Sequence, residues 1–282
     1  MKNKIPTLVK WAGGKKQLLE QFEPFFPDKI DNYLEPFVGG GAVAFFILKK
    51  YKPKKVILSD INEELVNVYN VTKNNPDELI KTLKKLKKFH NKETFEKIRA
   101  EDPNLLCEVD RAGRFIYLNK TCFNGLYRVN SKGQFNVPMG KYPNPAILME
   151  EDLREISKLL SHAEIIRIGF EKVLENAKKG DFIYFDPPYY PLKKESFTTY
   201  TKDKFLEEEQ EKLARIFKEL DKRGCLLMLS NSDTEFIKKL YKDYSINFVK
   251  ATRMINCDAT KRGKINEIVI TNYLIKSTQN KL

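Results

Sequence analysis

Cysteine and histidine are scarce in this 282-residue chain, which has four cysteines and two histidines. The cysteines are scattered and form no CxxC pair; they are Cys107, Cys122, Cys225 and Cys257. A zinc site needs such ligands at close spacing, and a disulfide framework is typical of much shorter chains. We therefore predict no metal site and interpret the cysteines as small apolar residues.

Long apolar runs are also missing. No stretch approaches the roughly 18 uncharged residues of a membrane span, and the start of the chain, MKNKIPTLVKW, lacks the apolar segment of a signal peptide. We expect a cytoplasmic protein that does not contact a membrane. Internal repeats and low-complexity linkers are missing as well. With 41% apolar and 12% aromatic residues, the sequence predicts a packed chain rather than a disordered one.

Positive charge, in contrast, is abundant. Lysine and arginine number 51 against 38 acidic residues, which gives a formal net charge of +13. This excess favours a polyanionic partner such as nucleic acid, because basic side chains neutralise phosphates. The alternative is a set of solvated helix faces, and the basic run KTLKKLKKF (81–89) is compatible with that. Charge alone leaves both interpretations open.

The order of the predicted elements indicates an α/β fold. NYLEPFVGGG (32–41) has the pattern of a strand that runs into a glycine turn, the next residues have helical spacing, and KKVILSDIN (54–62) is a second strand that ends in an acid. This order begins a doubly wound, Rossmann-like sheet. Further strands are predicted at 163–168, 181–185, 225–230, 246–250 and 266–273, with a crossover helix at 206–220.

Residues 63–162 interrupt the sheet pattern with charged amphipathic helices and a polar segment. Inside that segment, NSKGQ (130–134) predicts a hairpin turn. We predict a catalytic domain formed by 1–62 and 163–282, and an inserted, mostly helical target-recognition domain formed by 63–162. An insertion at the carboxyl edge of an α/β sheet lies over the ligand crevice, where a module that reads a substrate belongs.

The glycine turn has the spacing of a nucleotide-binding motif. Gly39, Gly41 and Ala44 fit G-x-G-x-x-G/A, and Asp60 ends the next predicted strand. Such glycines let the backbone approach a ligand, and such an acid accepts hydrogen bonds from ribose hydroxyls. The pattern permits a nicotinamide-dependent oxidoreductase or a transferase with a nucleoside cofactor. A tight turn followed by an ordinary helix-capping Asp would also show it.

A second acid ends the predicted central strand, in GDFIYFDPPYYPL (180–192). Pro187 and Pro188 stop the regular strand because they offer no N–H, while their carbonyl oxygens remain acceptors. The Asp186 carboxylate, the Pro187 carbonyl and the Tyr189 ring can together hold an exocyclic amine on a planar base. Accepting both N–H hydrogens favours a pyramidal nitrogen whose lone pair faces an electrophilic methyl group. The combination favours amine methylation over hydride transfer.

Three motifs resemble those of the Dam-type DNA adenine-N6 methyltransferases, which include GATC-specific methylases of restriction systems; they are KWAGGK (10–15), EPFVGGGA (35–42) and DPPY (186–189). The resemblance runs from about Lys10 to Tyr273. It implies methyl transfer from S-adenosylmethionine to adenine N6 in double-stranded DNA, at GATC, with the target base flipped out of the duplex. A separately encoded restriction endonuclease would be a second partner. A monomer suffices, because each adenine needs one turnover.

The resemblance also implies roles for individual residues. Those at the S-adenosylmethionine site would be Trp11, Lys15, Phe37, Gly39, Gly41, Asp60, Phe170 and Asp186. Catalysis would fall to Asp186, Pro187 and Tyr189, with the tyrosine ring stacked on the flipped adenine. Family members usually carry an Asp before Phe170, where this chain has Gly169. The adenine pocket would then be closed differently, or by Glu171.

For DNA recognition, the segment FNGLYRVNSKGQFNVPMGKY (123–142) resembles the hairpin of members that read GATC. The DNA contacts that this implies are Lys10, Phe123, Asn124, Arg128 and Pro138, with Arg128 on a guanine and Phe123 as a wedge in the base stack. FTTYTKDKF (197–205), LSNSDT (229–234) and ATKRGKINE (259–267) also resemble family segments.

Other functions stay open at this point. A DPPY-type turn also serves methylation of cytosine N4 or of adenine in RNA. A catalytically silent DNA-binding protein on the same fold is the alternative from a different class. Taken alone, a surface arginine more often contacts phosphate than a base.

Overall fold

The computed structural model describes residues 5–192, 205–252 and 264–275. They form two units. The helical unit contains residues 5–16, 39–50 and 60–167, and the sheet unit contains 17–38, 51–59, 168–192, 205–252 and 264–275. The boundaries predicted from the sequence, 62 and 163, concern functional domains and stay a prediction. Residues 197–204 and 259–263 of the segments singled out above, and Cys257, lie outside the described residues.

The helices and strands follow the predicted order closely. The helices are α1 (Leu19–Phe22), α2 (Ala42–Lys50), α3 (Glu63–Asn74), α4 (Pro76–Lys88), α5 (Lys92–Ala100), α6 (Glu108–Thr121), α7 (Glu150–Leu160), α8 (Val173–Asn176), α9 (Glu207–Lys222) and α10 (Glu235–Leu240). The strands are β1 (Asn32–Glu35), β2 (Lys55–Asp60), β3 (Ala163–Arg167), β4 (Phe182–Phe185), β5 (Leu226–Ser232), β6 (Ser245–Thr252) and β7 (Lys264–Thr271). Each strand and helix predicted above has a counterpart.

In the helical unit, α3, α4, α6 and α7 pack on one another through apolar side chains such as Leu83 and Phe115. Local signals set the helix ends. Asn62 caps α3 by accepting a hydrogen bond from the Leu65 N–H at 3.1 Å, and Pro76 begins α4. Acidic residues occupy the first turn of α4 and lysines its last turn, as the helix dipole favours.

The sheet unit is built on a mixed sheet. The described residues contain seven strands, of which β3 belongs to the helical unit. The others run in the order β2-β1-β4-β5-β7-β6. β2, β1, β4 and β5 are parallel, and β7 is antiparallel to both β5 and β6. A mixed sheet with helices between its strands confirms the predicted α/β fold class.

β4 is central and wholly buried, with all four of its side chains at most 1% exposed. A continuous apolar run is typical of a parallel strand that is covered on both faces. α9 leads from β4 to its parallel neighbour β5, as the predicted crossover requires. Because parallel strands end at one edge, Glu35 at the end of β1 and Asp186 directly after β4 are brought to the same edge of the sheet.

Two features concern the described ranges as a whole. Within them, no helix combines the length and the apolar character that a membrane crossing needs. The same ranges hold no cluster of three or more His, Cys, Asp or Glu side chains that would suit a metal ion. Of the described cysteines, Cys107 is exposed while Cys122 and Cys225 are buried, and all three are free thiols.

Candidate functional site

The glycine turn of the helical unit depends on glycine at two positions. Gly39 and Gly41 have positive φ angles of 48° and 71°. A β-carbon at Gly39 would lie 2.8 Å from the Trp11 ring, and one at Gly41 would lie 2.3 Å from the Tyr69 hydroxyl. Both the backbone conformation and the close packing therefore exclude side chains here.

Asp60 lies beside this turn. Its carboxylate accepts hydrogen bonds from the Gly39 N–H at 3.2 Å and the Asn62 N–H at 2.9 Å. Burial raises the pKa of Asp60, and the backbone N–H groups of Asn62, Gly39 and Ile61 act against that shift. A carboxylate next to a glycine turn supplies the acceptor that ribose hydroxyls require, so these residues fit a nucleoside cofactor.

Trp11 and Lys15, on the segment before the turn, are held within the helical unit. The Trp11 ring stacks on Tyr127 at 5.9 Å and on Phe115 at 6.3 Å between centroids. Lys15 is buried and donates a hydrogen bond from Nζ to the Gly13 carbonyl at 2.6 Å. Trp11 thus forms one wall of the glycine turn.

The candidate DNA-contacting residues Phe123, Asn124, Arg128 and Pro138 are all exposed on one hairpin of the helical unit. Its two sides are joined by the bridges Cys122–Met139 and Val129–Phe135, and the predicted NSKGQ turn lies at its tip. The Phe123 N–H donates to the Pro138 carbonyl at 2.9 Å. The Arg128 guanidinium donates from Nε to the Asn136 side-chain oxygen at 2.7 Å, which restricts its direction.

Lys10 packs against the same hairpin. Its ammonium group lies 4.5 Å from the centre of the Tyr142 ring, and its side chain fills the space where a β-carbon at Gly125 would be. Asn119, which the sequence analysis did not single out, connects the two segments. It accepts from the Lys10 N–H and donates to the carbonyls of Lys10 and Gly125 at 2.8 and 3.0 Å.

A basic cleft opens beside this hairpin, within the helical unit. It is lined by Thr7, Lys10, Lys16, Lys120, Tyr142, Pro143, Asn144, Pro145, Ala146, Met149 and Asp152. Lys120 is only 7% exposed. Burial, followed by the nearby charge of Lys10, lowers the pKa of Lys120 to about 8, although Asp152 opposes the shift.

In the sheet unit, the catalytic candidates follow β4. Asp186 is half-buried, and its Oδ1 accepts a hydrogen bond from the Ser230 hydroxyl at 2.8 Å. The Tyr189 hydroxyl donates to Glu267 Oε2 at 2.8 Å, while the ring stays partly exposed. Burial, with the negative charges of Asp186 and Glu267, raises the pKa of Tyr189 well above its ordinary value.

The two prolines of this segment differ in exposure. Pro187 is buried and Pro188 is exposed. The Pro188 carbonyl accepts from the Gln210 side-chain amide at 2.9 Å. Asp186 and Pro187 thus come directly after a fully buried central strand, as the sequence predicts. The Gln210 side chain then holds the next residue of the turn in place through its hydrogen bond to the Pro188 carbonyl.

Phe37 and Phe170 are brought together in the sheet unit. Their rings stack at 5.3 Å between centroids, and Phe205 meets both at steeper angles. A β-carbon at Gly169 would lie 2.6 Å from the Glu171 carboxylate. The Glu171 side chain therefore occupies the space of the acid that the resemblance leads one to expect at position 169.

Glu35 is a buried acid that the sequence analysis did not name. It ends β1, is 2% exposed, and accepts a hydrogen bond from the Tyr33 hydroxyl at 2.6 Å. The signal that could have found it is the one used for Asp60 and Asp186, an acid at the end of an apolar strand.

The residues from 11 to 255 match the family model of the D12 class N6 adenine-specific DNA methyltransferases. The chain belongs to this family. A D12-class methyltransferase acts on adenine in DNA, so the enzyme class inferred from the DPPY segment is confirmed. Of the two classes that the glycine turn leaves open, this family is a transferase.

Relatives of this D12-class chain agree with that assignment. The Type II methyltransferase M.MjaIII of Methanocaldococcus jannaschii is 48% identical, with 95% of this chain and 99% of the relative covered. The Type II methyltransferase M1.LlaDCHI of Lactococcus lactis is 43% identical, with 96% and 98% covered. A DNA adenine methylase of Haemophilus influenzae is 35% identical, with 95% and 94% covered.

Proposed function

We propose that this D12-class enzyme transfers the methyl group of S-adenosylmethionine to N6 of the adenine in GATC within double-stranded DNA. The target base would be flipped out of the helix, at a cost of a few kcal/mol. The observation that carries the proposal is the exposed hairpin on which Phe123, Asn124, Arg128 and Pro138 all face solvent. The names of three relatives, two Type II methyltransferases and one DNA adenine methylase, support it.

In this proposal the chain's own residues hold the target amine. The Asp186 carboxylate and the Pro187 carbonyl accept its two N–H groups, and the Tyr189 ring stacks on the base. When bound, S-adenosylmethionine supplies an electrophilic methyl group on a sulfonium centre. Asp186 would accept the proton that N6 gives up as it takes the methyl group, while the carbon–sulfur bond would break and the demethylated thioether would be the leaving group. Alignment and charge placement account for most of the rate.

The residues proposed for the cofactor site have different roles. Asp60 would accept hydrogen bonds from the ribose hydroxyls, next to Gly39 and Gly41, whose backbone allows close approach. Lys15 would pair with the cofactor carboxylate, and Trp11 would shield it. The other residues proposed for the cofactor, Phe37, Phe170 and Asp186, belong to the sheet unit.

The test of this function is a map of modified bases. DNA from a host without its own adenine methylation, after expression of this chain, should carry N6-methyladenine at GATC. Modified cytosine, or unmodified adenine at GATC, would contradict the proposal. RNA from the same cells should be unmodified, which separates the proposal from an RNA methyltransferase.

Arg128→Ala should relax base preference at one position of the site by about 1–3 kcal/mol, because arginine engages guanine O6 and N7 together. The measurement is kcat/KM on duplexes that differ at a single base pair. Lys132→Ala, also exposed on the hairpin, is the matched control and should weaken all duplexes alike. Unchanged selectivity in Arg128→Ala would argue against a base contact.

The affinity for DNA should fall as the pH rises from 7 to 9. Lys120 is charged below its pKa of about 8 and neutral above it, so its attraction to phosphate disappears over this range. In Lys120→Met, affinity at pH 7 should be lower and this pH dependence should be smaller. Lys85→Met, on the exposed face of α4, should keep the wild-type dependence. Equal pH profiles for wild type and Lys120→Met would refute a role for Lys120 in binding.

A monomer that acts on one adenine at a time is the proposed working form. A restriction endonuclease encoded separately is the proposed second partner, supported by the Type II names of two relatives. It would need only to read the same sequence, without contacting this chain.

A further inference from the structure

The LSNSDT segment (229–234) has no part in the chemistry proposed above, yet three of its side chains bond the turn after β4. Ser230 donates to Asp186 Oδ1 at 2.8 Å. Asn231 accepts from the Tyr190 N–H at 3.2 Å, and Ser232 donates to the Tyr190 carbonyl at 2.7 Å. Since β5 is the parallel neighbour of β4, its end lies beside that turn.

Helix α9 holds the same turn from a second side. Gln210, fully buried, donates to the Pro188 carbonyl at 2.9 Å. Its own side-chain oxygen accepts from the buried Asn231 amide at 3.0 Å. The backbone of the turn is therefore held at Pro188 and Tyr190, and the direction of the Asp186 side chain is set by a separate contact.

That separate contact is the end of a chain of hydroxyl groups. The Tyr184 hydroxyl lies 2.8 Å from the Ser230 hydroxyl, and both residues are fully buried. A serine hydroxyl has one hydrogen, and an ionised carboxylate can only accept. Ser230 therefore donates to Asp186, and Tyr184 donates to Ser230.

The tyrosine at the start of this chain keeps its proton. Burial, followed by the negative charge of Asp186, raises the pKa of Tyr184 well above its ordinary value. A hydroxyl that donates to Ser230 makes the serine a better donor in turn, because consecutive hydrogen bonds polarise one another. Ser230 thus fixes the direction of the Asp186 carboxylate and gives it a charge-assisted hydrogen bond.

We propose that Ser230 is a positioning residue for Asp186, and that Tyr184 acts through Ser230. Rotation of the carboxylate about its side-chain bonds would carry the acceptor oxygen away from the target amine, and the Ser230 bond prevents it. This inference rests on the proposed function of Asp186, whose carboxylate would accept a hydrogen bond from the target amine. It assigns a purpose to the LSNSDT segment, to orient the catalytic carboxylate.

The experiment compares Ser230→Ala, Tyr184→Phe and the double variant in steady-state kinetics. Ser230→Ala should lower kcat by about 10- to 100-fold, the range for one lost hydrogen bond to a charged group. KM for S-adenosylmethionine and the Kd for DNA should stay within about twofold, because this contact bears on the orientation of the reacting group rather than on binding. Tyr184→Phe should lower kcat by a smaller factor, and the double variant should equal Ser230→Ala, since Tyr184 acts only through the serine.

Tyr241→Phe is the matched control. Tyr241 is as buried as Tyr184 and lies in the same unit, and its hydroxyl has no hydrogen-bond partner among the described residues. Its loss should leave kcat unchanged, which separates the relay from a general effect of removing a buried hydroxyl. If Ser230→Ala lowers the stability of the protein, the kcat of Tyr184→Phe tests the inference instead, because that change preserves the packed ring.

Three results would overturn the inference. They are an unchanged kcat in both single variants, a kcat loss matched by equal losses in KM, Kd and thermal stability, and additive effects in the double variant. Asp186→Ala separates this failure from that of the proposed function. If Asp186→Ala is inactive while the Ser230 and Tyr184 variants are normal, only the positioning role is wrong. If Asp186→Ala is active, the role proposed for Asp186 itself is wrong.

Discussion

Replacing Asp186 by alanine should lower kcat by about 10²- to 10⁴-fold, the range expected when a residue that holds and deprotonates the reacting group is removed. Asp186 is half-buried and lies after β4 rather than within it, so the fold around it should persist. DNA affinity should change by less than about threefold, because the contacts proposed for the hairpin do not involve this residue. The measurement is transfer of a labelled methyl group to a GATC duplex, with DNA binding measured in parallel.

Asp243→Ala is the control for the loss of an acid from the same unit. Asp243 is exposed and has no role in the proposed chemistry, so its variant should match wild type in both measurements. Near-normal turnover in Asp186→Ala would refute the catalytic role. It would leave a DNA-binding or cofactor-binding role for this acid, and the silent-protein alternative would be excluded at the same time.

Replacing Gly41 by alanine should lower the free energy of unfolding by about 2–5 kcal/mol. The positive φ of 71° costs a residue with a side chain about 1–2 kcal/mol. The new β-carbon would also approach the Tyr69 hydroxyl, which already donates to the Gly39 carbonyl at 2.9 Å, and overpacking adds about 1–3 kcal/mol. Denaturant unfolding measures the stability, and calorimetric titration with S-adenosylmethionine measures the expected loss of cofactor affinity.

Gly180→Ala separates the two contributions. Gly180 has a positive φ of 85°, and a β-carbon there would meet no atom within 4 Å. This variant should lose only the conformational part, about 1–2 kcal/mol, and should bind the cofactor as wild type does. Equal stability losses in Gly41→Ala and Gly180→Ala would show that crowding by Tyr69 contributes nothing.

Much of the fold and part of the candidate site follow from local sequence signals. Apolar runs with an acid at the end predict β2 with Asp60 and β4 with Asp186, because a continuous apolar run is typical of a parallel strand covered on both faces. Glycine at Gly39 and Gly41 predicts a tight turn for the same local reason. The NSKGQ turn is equally local, and its hairpin confirms it.

The unpredicted contacts join residues that are far apart in the chain. Asn119 bonds Lys10 across 109 residues, and Ser230 bonds Asp186 across 44. An asparagine or a serine in the sequence does not indicate which distant residue it will bond, since both occur in many local structures. The packing of the glycine turn and α2 with the helical unit is also non-local. Such contacts depend on how the elements pack, which periodicity does not encode.

The most direct test of the central claim is a crystal structure of the enzyme with a GATC duplex and a non-reactive cofactor analogue. The target adenine should lie outside the base stack, with N6 within about 3 Å of the Asp186 carboxylate and of the Pro187 carbonyl, and with the Tyr189 ring parallel to the base. An adenine that remains stacked in the duplex, or an Asp186 side chain that contacts neither the base nor the cofactor, would contradict the account.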